Sequence, residues 1–212
     1  MNPYRQCPIY QNENYRIRFV KQSDVNDLLK VYSDPKTVAL CNCDNCEDDF
    51  YYTSRVRMEQ AINYWIMEYH REGFVRWSIL DCTSSTAIGT MELFKRSAND
   101  AYDNTAVLRL DLLSKYEEQS CLQEILSLIL PHIRDLFQCT QVITKCVQEA
   151  EKRRAVLLEM GFSPSKESLV GWMAHFIRII ICESYKRSNI KTKTCILEPK
   201  SDIHVFCSFF HS

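Results

Sequence analysis

The sequence predicts a mixed α/β domain in which antiparallel strands come first and a strand–helix–strand crossover follows. Three observations lead to this fold class. The 212 residues are 46% apolar, which is enough for one buried core and too much for a disordered chain. Three strand-like runs follow one another between residues 74 and 113. A long amphipathic helix then separates the last run from a further strand, and such a helix typically joins two parallel strands.

The first part of the chain contains one strand and two helices. Residues 15–20 (YRIRFV) alternate polar and apolar side chains, as a strand does. Ser23 is a good N-cap for a short helix that ends before Pro35. Apolar side chains at helical spacing predict a second helix over residues 54–70. Residues 37–52 show no helical period, and we expect them to form a loop.

The second part supplies the remaining strands and helices. The predicted strands are residues 74–80, 86–94, 106–113 and 141–147. The string DCTSS between the first two is typical of a hairpin turn. The helix over residues 122–137 contains Pro131, which should kink it because proline lacks the backbone N–H. A last helix over residues 150–160 is stopped by Gly161.

The charge balance and the apolar segments exclude several classes of protein. The chain has 26 Lys and Arg against 27 Asp and Glu, so no overall field attracts it to nucleic acid or to an anionic membrane. The first twenty residues lack the apolar run of a signal peptide, and residues 172–182 are too short to span a bilayer. The eleven cysteines are odd in number and scattered. We therefore expect a cytoplasmic protein with reduced thiols and with neither nucleic acid nor membrane as a partner.

Three stretches of the chain resemble a known family. Residues 15–32 resemble its opening strand and helix, residues 76–94 its central hairpin with Ile-Gly-Thr-x-Glu-Leu, and residues 155–162 its last core helix running into Gly-Phe. In this order they resemble the GCN5-related N-acetyltransferase (GNAT) superfamily, near the branch of the ribosomal-protein alanine acetyltransferases. The resemblance implies a mostly antiparallel, twisted sheet flanked by helices, in a domain that covers residues 1–171.

The resemblance also implies a reaction and a co-substrate. In this family a primary amine attacks the thioester of acetyl-CoA, so the site needs a base for the ammonium and a donor for the thioester carbonyl. The acceptor expected here is an amine-bearing small molecule or a peptide N-terminus, and pairing into a homodimer is left open. The family commonly takes the donor from backbone N–H groups of a splayed central strand and holds the diphosphate at the start of the next helix. The matching residues are Leu110, Leu112, Leu113, Gln119, Ser120, Cys121 and Leu122.

The stretch that should hold the diphosphate departs from the family pattern. Family members have Gln/Arg-x-x-Gly-x-Gly/Ala, whereas residues 117–122 read EEQSCL. Side chains at Ser120 and Leu122 restrict close approach of the backbone, and the two carboxylates have the wrong sign for an anion, which Lys115 offsets in part. The alternative is that these residues simply begin a helix, whose free N–H groups can still meet an anion.

Three further positions bear on the cofactor. Ala150 stands where the family often has Asn, and Leu157 where it often has a Tyr that protonates the leaving thiolate, so water would have to serve instead. Residues 152–154 (KRR) put cations in the first turn of a helix, where they oppose its dipole. They would either meet the 3′-phosphate of CoA or be plain surface charge.

The candidate base lies on the central strands. Alternation puts Glu92 on the polar face of one strand and Arg109 and Asp111 on the polar face of the next. If these strands are neighbours, the three side chains line one polar cavity. A carboxylate that is partly removed from water there is a better base for an amine, so we predict Glu92 and Asp111 as catalytic residues. The alternative is a structural ion pair between Glu92 and Arg109.

A cluster of three cysteines, Cys41, Cys43 and Cys46, supplies soft ligands within six residues. A structural zinc site needs a fourth ligand and no matching partner occurs elsewhere, so we predict no metal, and a reactive thiol loop is the alternative. By the resemblance, this loop helps to form the acceptor pocket. Its acidic and aromatic side chains suit a cationic acceptor or are simply solvated; they are Asp44, Asp48, Asp49, Tyr51 and Tyr52.

Residues 172–212 form an atypical C-terminal tail beyond the resemblance. Codons can be chosen for WMAHFIRIII that, read two nucleotides along, encode DGTFYTDYY, which is similar to the closing strand of related acetyltransferases. One hypothesis is that the tail arises from a frameshift. The alternative is that Ile177–Cys182 is an authentic edge strand before a disordered end.

Three functions are consistent with these patterns. The first is N-acetyl transfer from acetyl-CoA to an amine. The second is a GNAT-fold binding or regulatory protein that has lost the diphosphate loop. The third is a thiol or metal sensor built on the cysteine cluster.

Overall fold

A sheet of eight strands forms the centre of the structure, a computed structural model that describes residues 2–41, 48–165 and 177–182. The strands are β1 (Tyr10–Gln11), β2 (Tyr15–Phe19), β3 (Val75–Asp81), β4 (Thr86–Arg96), β5 (Thr105–Leu112), β6 (Gln141–Val147), β7 (Ser163–Pro164) and β8 (Ile177–Cys182). The helices are α1 (Val25–Tyr32), α2 (Pro35–Leu40), α3 (Arg55–His70), α4 (Gln119–Ile129), α5 (Ile133–Phe137) and α6 (Glu151–Glu159). The strands lie in the order β1-β2-β3-β4-β5-β6-β8-β7.

The sheet is mixed and mostly antiparallel, as predicted. Strands β1 to β5 pair antiparallel with their neighbours, and β6, β8 and β7 do the same. The one parallel pair among the described strands is β5 with β6, and α4 and α5 form the crossover between them. The predicted order of antiparallel strands followed by a crossover is therefore confirmed.

The two strands of the parallel pair separate along their length. Residues Thr105 to Leu108 of β5 pair with Gln141 to Thr144 of β6, and no pairing joins the two strands beyond that point. Strand β5 continues to Leu112 along β4, while β6 continues to Val147 along β8. A gap therefore opens between the carboxyl ends of β5 and β6, and it places the backbone edge of one central strand beside the start of α4.

The predicted alternation along β4 and β5 is also confirmed. Met91 and Leu93 pack with Leu108, Leu110 and Leu112 in a core formed with α4, α5 and α6. The opposite face of the sheet is covered by α1 and α3, which contribute a second apolar cluster. Polar residues of β4 and β5 point toward this second side, which is where the candidate site lies.

Two predictions about helices are corrected. Part of the expected loop over residues 37–52 belongs to α2, because Asp34 caps this helix by accepting from the N–H of Lys36 at 3.0 Å and Pro35 occupies its first turn. Six residues are too few to show a period in the sequence. The expected kinked helix over residues 122–137 is instead two helices, because Pro131 cannot donate the N–H that would continue α4.

The C-terminal segment contributes one described strand. Ile177–Cys182 pairs with β6, as the second interpretation of the tail expects, but the two-residue strand β7 lies on its other side, so it is not the outermost strand. The rest of the tail lies outside the described residues. The frameshift hypothesis concerns the gene and stays a prediction, as does the division at residue 172.

A buried carboxylate joins α1 to the sheet. Asp24 accepts two hydrogen bonds from the guanidinium of Arg18, at 2.6 and 2.7 Å, and one from the hydroxyl of Ser78 at 2.6 Å. Burial by itself raises the pKa of Asp24, but these hydrogen bonds outweigh it, so the pKa lies below its ordinary value. The ionised form is therefore favoured by folding.

We expect the Asp24→Asn variant to be about 1–3 kcal/mol less stable than the wild type at pH 7, since a charge-assisted pair is lost. The stabilisation by the carboxylate is fully present above the unfolded-state pKa of about 3.9 and is lost as the pH falls through the lower folded-state pKa. Urea unfolding of both proteins between neutral and acid pH checks this. A stability difference that does not shrink below about pH 4 would contradict it.

Candidate active site

A cavity of about 1030 Å³ lies between α3, residues 48–52 and the central strands. This is within the range of pockets that hold small organic molecules or a peptide end. Six aromatic side chains supply most of its apolar wall: Phe50, Tyr52, Tyr64, Trp65, Phe74 and Phe94. Glu92 and Arg109 contribute to its polar wall, so the structure brings together two of the three side chains expected there.

Glu92 lies at the wall of this cavity with 13% of its side chain exposed. Its Oε2 atom accepts a hydrogen bond from Nη2 of Arg76, whose Cα is its register partner on β3. Among the described residues, Oε1 has no hydrogen-bond partner. The alternative pairing of Glu92 with Arg109 is therefore wrong, although the two residues are opposite each other on β4 and β5. Arg76 therefore holds one carboxylate oxygen of Glu92 in place.

Asp111 is buried, with 1% of its side chain exposed, and does not line the cavity. It accepts from Nε of Arg109 at 2.9 Å and from the hydroxyl of Tyr32 at 2.8 Å, and Nη1 of Arg76 lies 3.4 Å away. Burial raises its pKa, but the charges of Arg109 and Arg76 outweigh this effect, so its pKa is lower than usual. The geometry therefore places Asp111 as a buried counter-ion behind the cavity wall.

Arg76 is the residue of this site that sequence reasoning missed. It is 2% exposed, its guanidinium contacts both Glu92 and Asp111, and it lies 4.4 Å from the ring of Trp65. Arg109 similarly stacks 3.7 Å from the ring of Phe50. Two arginines and two carboxylates thus form one compact network with balanced charge. An arginine within the apolar strand run FVRWSIL was the available signal, since a buried strand tolerates a cation only when a carboxylate pairs with it.

The predicted cofactor residues divide into two groups. Leu110, Leu112 and Leu122 bury their side chains in the core, so only their backbones could meet a ligand. Leu113 donates its N–H to the carbonyl of Ile88 at 2.9 Å, across the edge that faces β4. Because alternate residues of a strand turn their N–H groups to opposite edges, Leu110 and Leu112 turn theirs toward the gap.

The start of α4 offers backbone N–H groups without a side-chain cap. Gln119, Ser120 and Cys121 form the first turn, where a helix has no internal acceptors, whereas the N–H of Leu122 already donates to Glu118. Gln119 and Ser120 are exposed. The amides of these three residues are the ones that would hold the diphosphate of acetyl-CoA, and this assignment stays a prediction.

The charges beside this helix start are paired internally. Arg153 forms an ion pair with Glu117, and Lys152 forms one with Glu118 at 2.6 Å, while Arg154 donates to the carbonyl of Gln148 at 3.1 Å. The interpretation of residues 152–154 as plain surface charge is therefore wrong for Arg153, which is 6% exposed. Glu117 and Glu118 precede α4 and do not lie in its first turn.

The other predicted features lie in the core or outside the described residues. Ala150 and Leu157 have apolar side chains that are buried in the core, so neither can donate a proton to the leaving thiolate. Cys41 is buried, and burial raises the pKa of its thiol well above the usual value, while Cys43, Cys46 and the acidic residue Asp44 lie outside the described part. Asp48, which lines the cavity, accepts from Tyr52 and Arg57 at 2.7 Å each.

The part of the chain that the structure describes contains neither a metal-binding cluster nor a membrane-spanning helix. No group of three or more His, Cys, Asp or Glu side chains could hold a metal ion there. No helix in these segments has the length and apolar character that crossing a membrane requires.

Comparison with known proteins identifies the type of domain. A family model described as the acetyltransferase (GNAT) domain matches residues 15–163, which is more than half of the chain. No curated protein sequence matches the chain.

Solved acetyltransferase structures share the fold. The ribosomal-protein-S5-alanine acetyltransferase of Vibrio fischeri superimposes with a TM-score of 0.63 at 13% identity, over 82% of this chain and 94% of that one. RimJ of Mycobacterium smegmatis, solved with CoA-disulfide, superimposes with a TM-score of 0.65 at 13% identity. The match covers 85% of this chain and 89% of that one. The microcin C7 self-immunity acetyltransferase MccE, solved with acetyl-CoA and AMP, superimposes with a TM-score of 0.63 at 12% identity. The match covers 82% of this chain and 94% of that one.

Proposed function

Because the chain belongs to the acetyltransferase (GNAT) domain family, we propose that it transfers an acetyl group from acetyl-CoA to the amine of a small molecule or of a peptide N-terminus. The observation that carries this proposal is the position of Glu92. Its carboxylate lies at the wall of a cavity large enough for an acceptor, with one oxygen held by Arg76 and the other unpaired among the described residues.

In this proposal Glu92 takes the proton from the acceptor's ammonium, because only the neutral amine has the lone pair that attacks a carbonyl. Arg76 holds the carboxylate of Glu92 at the cavity wall through Oε2, and Asp111 neutralises the buried arginines behind it. We therefore assign Glu92 as the catalytic residue and Asp111 as a positioning residue. Acetyl-CoA would supply the acetyl group as an activated thioester: the C–N bond to the acceptor would form as the C–S bond breaks, and the CoA thiolate would leave and take a proton from water.

A peptide N-terminus is the acceptor that we favour. The cavity opens to solvent, which leaves room for the rest of a peptide, while its lining mixes acidic and basic side chains and so does not by charge alone select the acceptor. One of the structures that share the fold, that of Vibrio fischeri, also bears the name of a ribosomal-protein acetyltransferase. Pairing into a homodimer stays a prediction that sedimentation analysis tests. We also propose a cytoplasmic location, where the six free cysteines of the described part would stay reduced.

An assay of thiol release from acetyl-CoA tests the proposal. The purified chain is incubated with acetyl-CoA and either a panel of short peptides with free N-termini or a panel of small primary amines. We expect release that depends on the acceptor and is faster with peptides. The same peptides with blocked N-termini are the control, and equal release with free and blocked peptides would contradict transfer to the N-terminus.

A further inference from the structure

A buried ion pair occupies the gap between β5 and β6. Arg153, in the first turn of α6, donates from Nη1 to the carbonyl oxygen of Leu110 at 2.7 Å. The rest of its guanidinium faces the carboxylate of Glu117, with Nε 3.3 Å from Oε2. This guanidinium therefore contacts both the edge of β5 that faces the gap and the segment before α4.

Both members of the pair are removed from water. Arg153 is 6% exposed and Glu117 is 8% exposed. Such a pair keeps its geometry because either charge would be left buried and uncompensated if the other moved alone. The neighbouring pair, Lys152 with Glu118, differs because both side chains are more than half exposed. Only the buried pair reaches the strand edge.

The space left beside Arg153 is small. The pocket formed by Leu110, Asp111, Lys145 and Arg153 at this edge has a volume of about 20 Å³. That volume holds about one water molecule. A thioester carbonyl that is to meet the N–H of Leu110 must enter from this edge, because the other edge of β5 is paired with β4. In this structure the guanidinium of Arg153 occupies the position at the Leu110 edge that the thioester arm would have to reach.

We propose that the Arg153–Glu117 pair is an internal plug that must leave the gap before acetyl-CoA can bind productively. The carbonyl of Leu110 accepts from Arg153 where the co-substrate should lie, and Glu117 holds the guanidinium in that position. Affinity for CoA is then lowered by the free energy needed to displace the pair. This inference rests on the proposed function, since it concerns access of the same co-substrate.

Removing both members of the plug tests the inference without leaving a buried charge alone. We expect the Glu117→Ala/Arg153→Ala double variant to bind CoA at least about tenfold more tightly than the wild type, which corresponds to ~1.4 kcal/mol. Calorimetric titration with CoA gives the affinities, and circular dichroism verifies that each variant is folded. The Glu117→Gln variant is a second route, because it removes one charge while keeping the shape, and we expect an intermediate gain.

A matched control keeps the plug and removes a surface hydrogen bond between α4 and α6. Gln123 of α4 donates to Glu159 of α6 at 2.6 Å on the surface, so the Gln123→Ala/Glu159→Ala variant should bind CoA as the wild type does. If the wild type and both plug variants bind CoA with the same measurable affinity, the inference of a plug is wrong while the proposed function stands. No CoA binding by any folded variant would overturn both.

Discussion

The Glu92→Gln variant is expected to transfer acetyl groups about 10²–10⁴-fold more slowly than the wild type, which is the range for loss of a general base. An amide has nearly the same shape as the carboxylate and can still accept a hydrogen bond from Arg76, so the wall of the cavity should be preserved. What it cannot do is take the proton from an ammonium. The loss should therefore fall on kcat, with the affinity for CoA unchanged.

Steady-state kinetics and a CoA titration measure the two quantities separately. Glu59→Gln is the matched control, because Glu59 also pairs with an arginine, Arg55 at 2.7 Å, but on the surface of α3 and away from the cavity. We expect the control to leave kcat unchanged. A Glu92→Gln variant that is as active as the wild type would show that another group accepts the proton.

The Asp111→Ala variant is expected to lose about 3–5 kcal/mol of unfolding free energy, the usual cost of leaving a buried charge without its partner. Asp111 is the counter-ion of Arg109 and contacts Arg76, and both arginines are almost fully buried. The hydroxyl of Tyr32 also loses an acceptor. The effect should therefore be much larger than that of removing an ion pair on the surface.

Chemical denaturation of the variant and the wild type measures this loss. Removing the exposed carboxylate in Glu59→Ala should cost at most about 1 kcal/mol, since surface pairs contribute little. If Asp111→Ala were no more destabilising than that control, the buried network would have no structural importance. Asp111→Asn, which keeps the volume but not the charge, separates the electrostatic part from the packing part.

The sequence was sufficient for features that depend on local pattern. Alternation along β4 and β5 placed Glu92, Arg109 and Asp111 on one face, and the structure confirms this because side chains in a strand alternate whatever their partners are. The same reasoning explains the correct prediction of Gln141–Val147 as a strand.

The sequence was not sufficient for features that depend on which elements become neighbours. Glu92 has an arginine opposite it on either side, and only the side-chain packing of the sheet decides that Arg76 is the one that binds it. Arg153 and Glu117 are 36 residues apart, so nothing local indicates that they pair. The interpretation of residues 152–154 as surface charge is wrong for Arg153 for that reason.

The reason for one glycine also became clear only in three dimensions. A Cβ atom at Gly89 would lie 2.2 Å from the carbonyl oxygen of Asp111 and 2.8 Å from Leu112. The close approach of β4 to β5 at this point therefore requires glycine. The string Ile-Gly-Thr is part of the resemblance to the family, and this close approach explains why its second position is glycine.

Mass spectrometry of a peptide acceptor shows whether the chain transfers an acetyl group to an amine. The wild-type chain is incubated with acetyl-CoA and the peptide that gives the fastest thiol release, and the product is fragmented to locate the modification. We expect one added acetyl group on the N-terminal nitrogen, formed in proportion to enzyme concentration. Unmodified peptide and intact acetyl-CoA with every acceptor, at enzyme concentrations where the chain is folded, would contradict it.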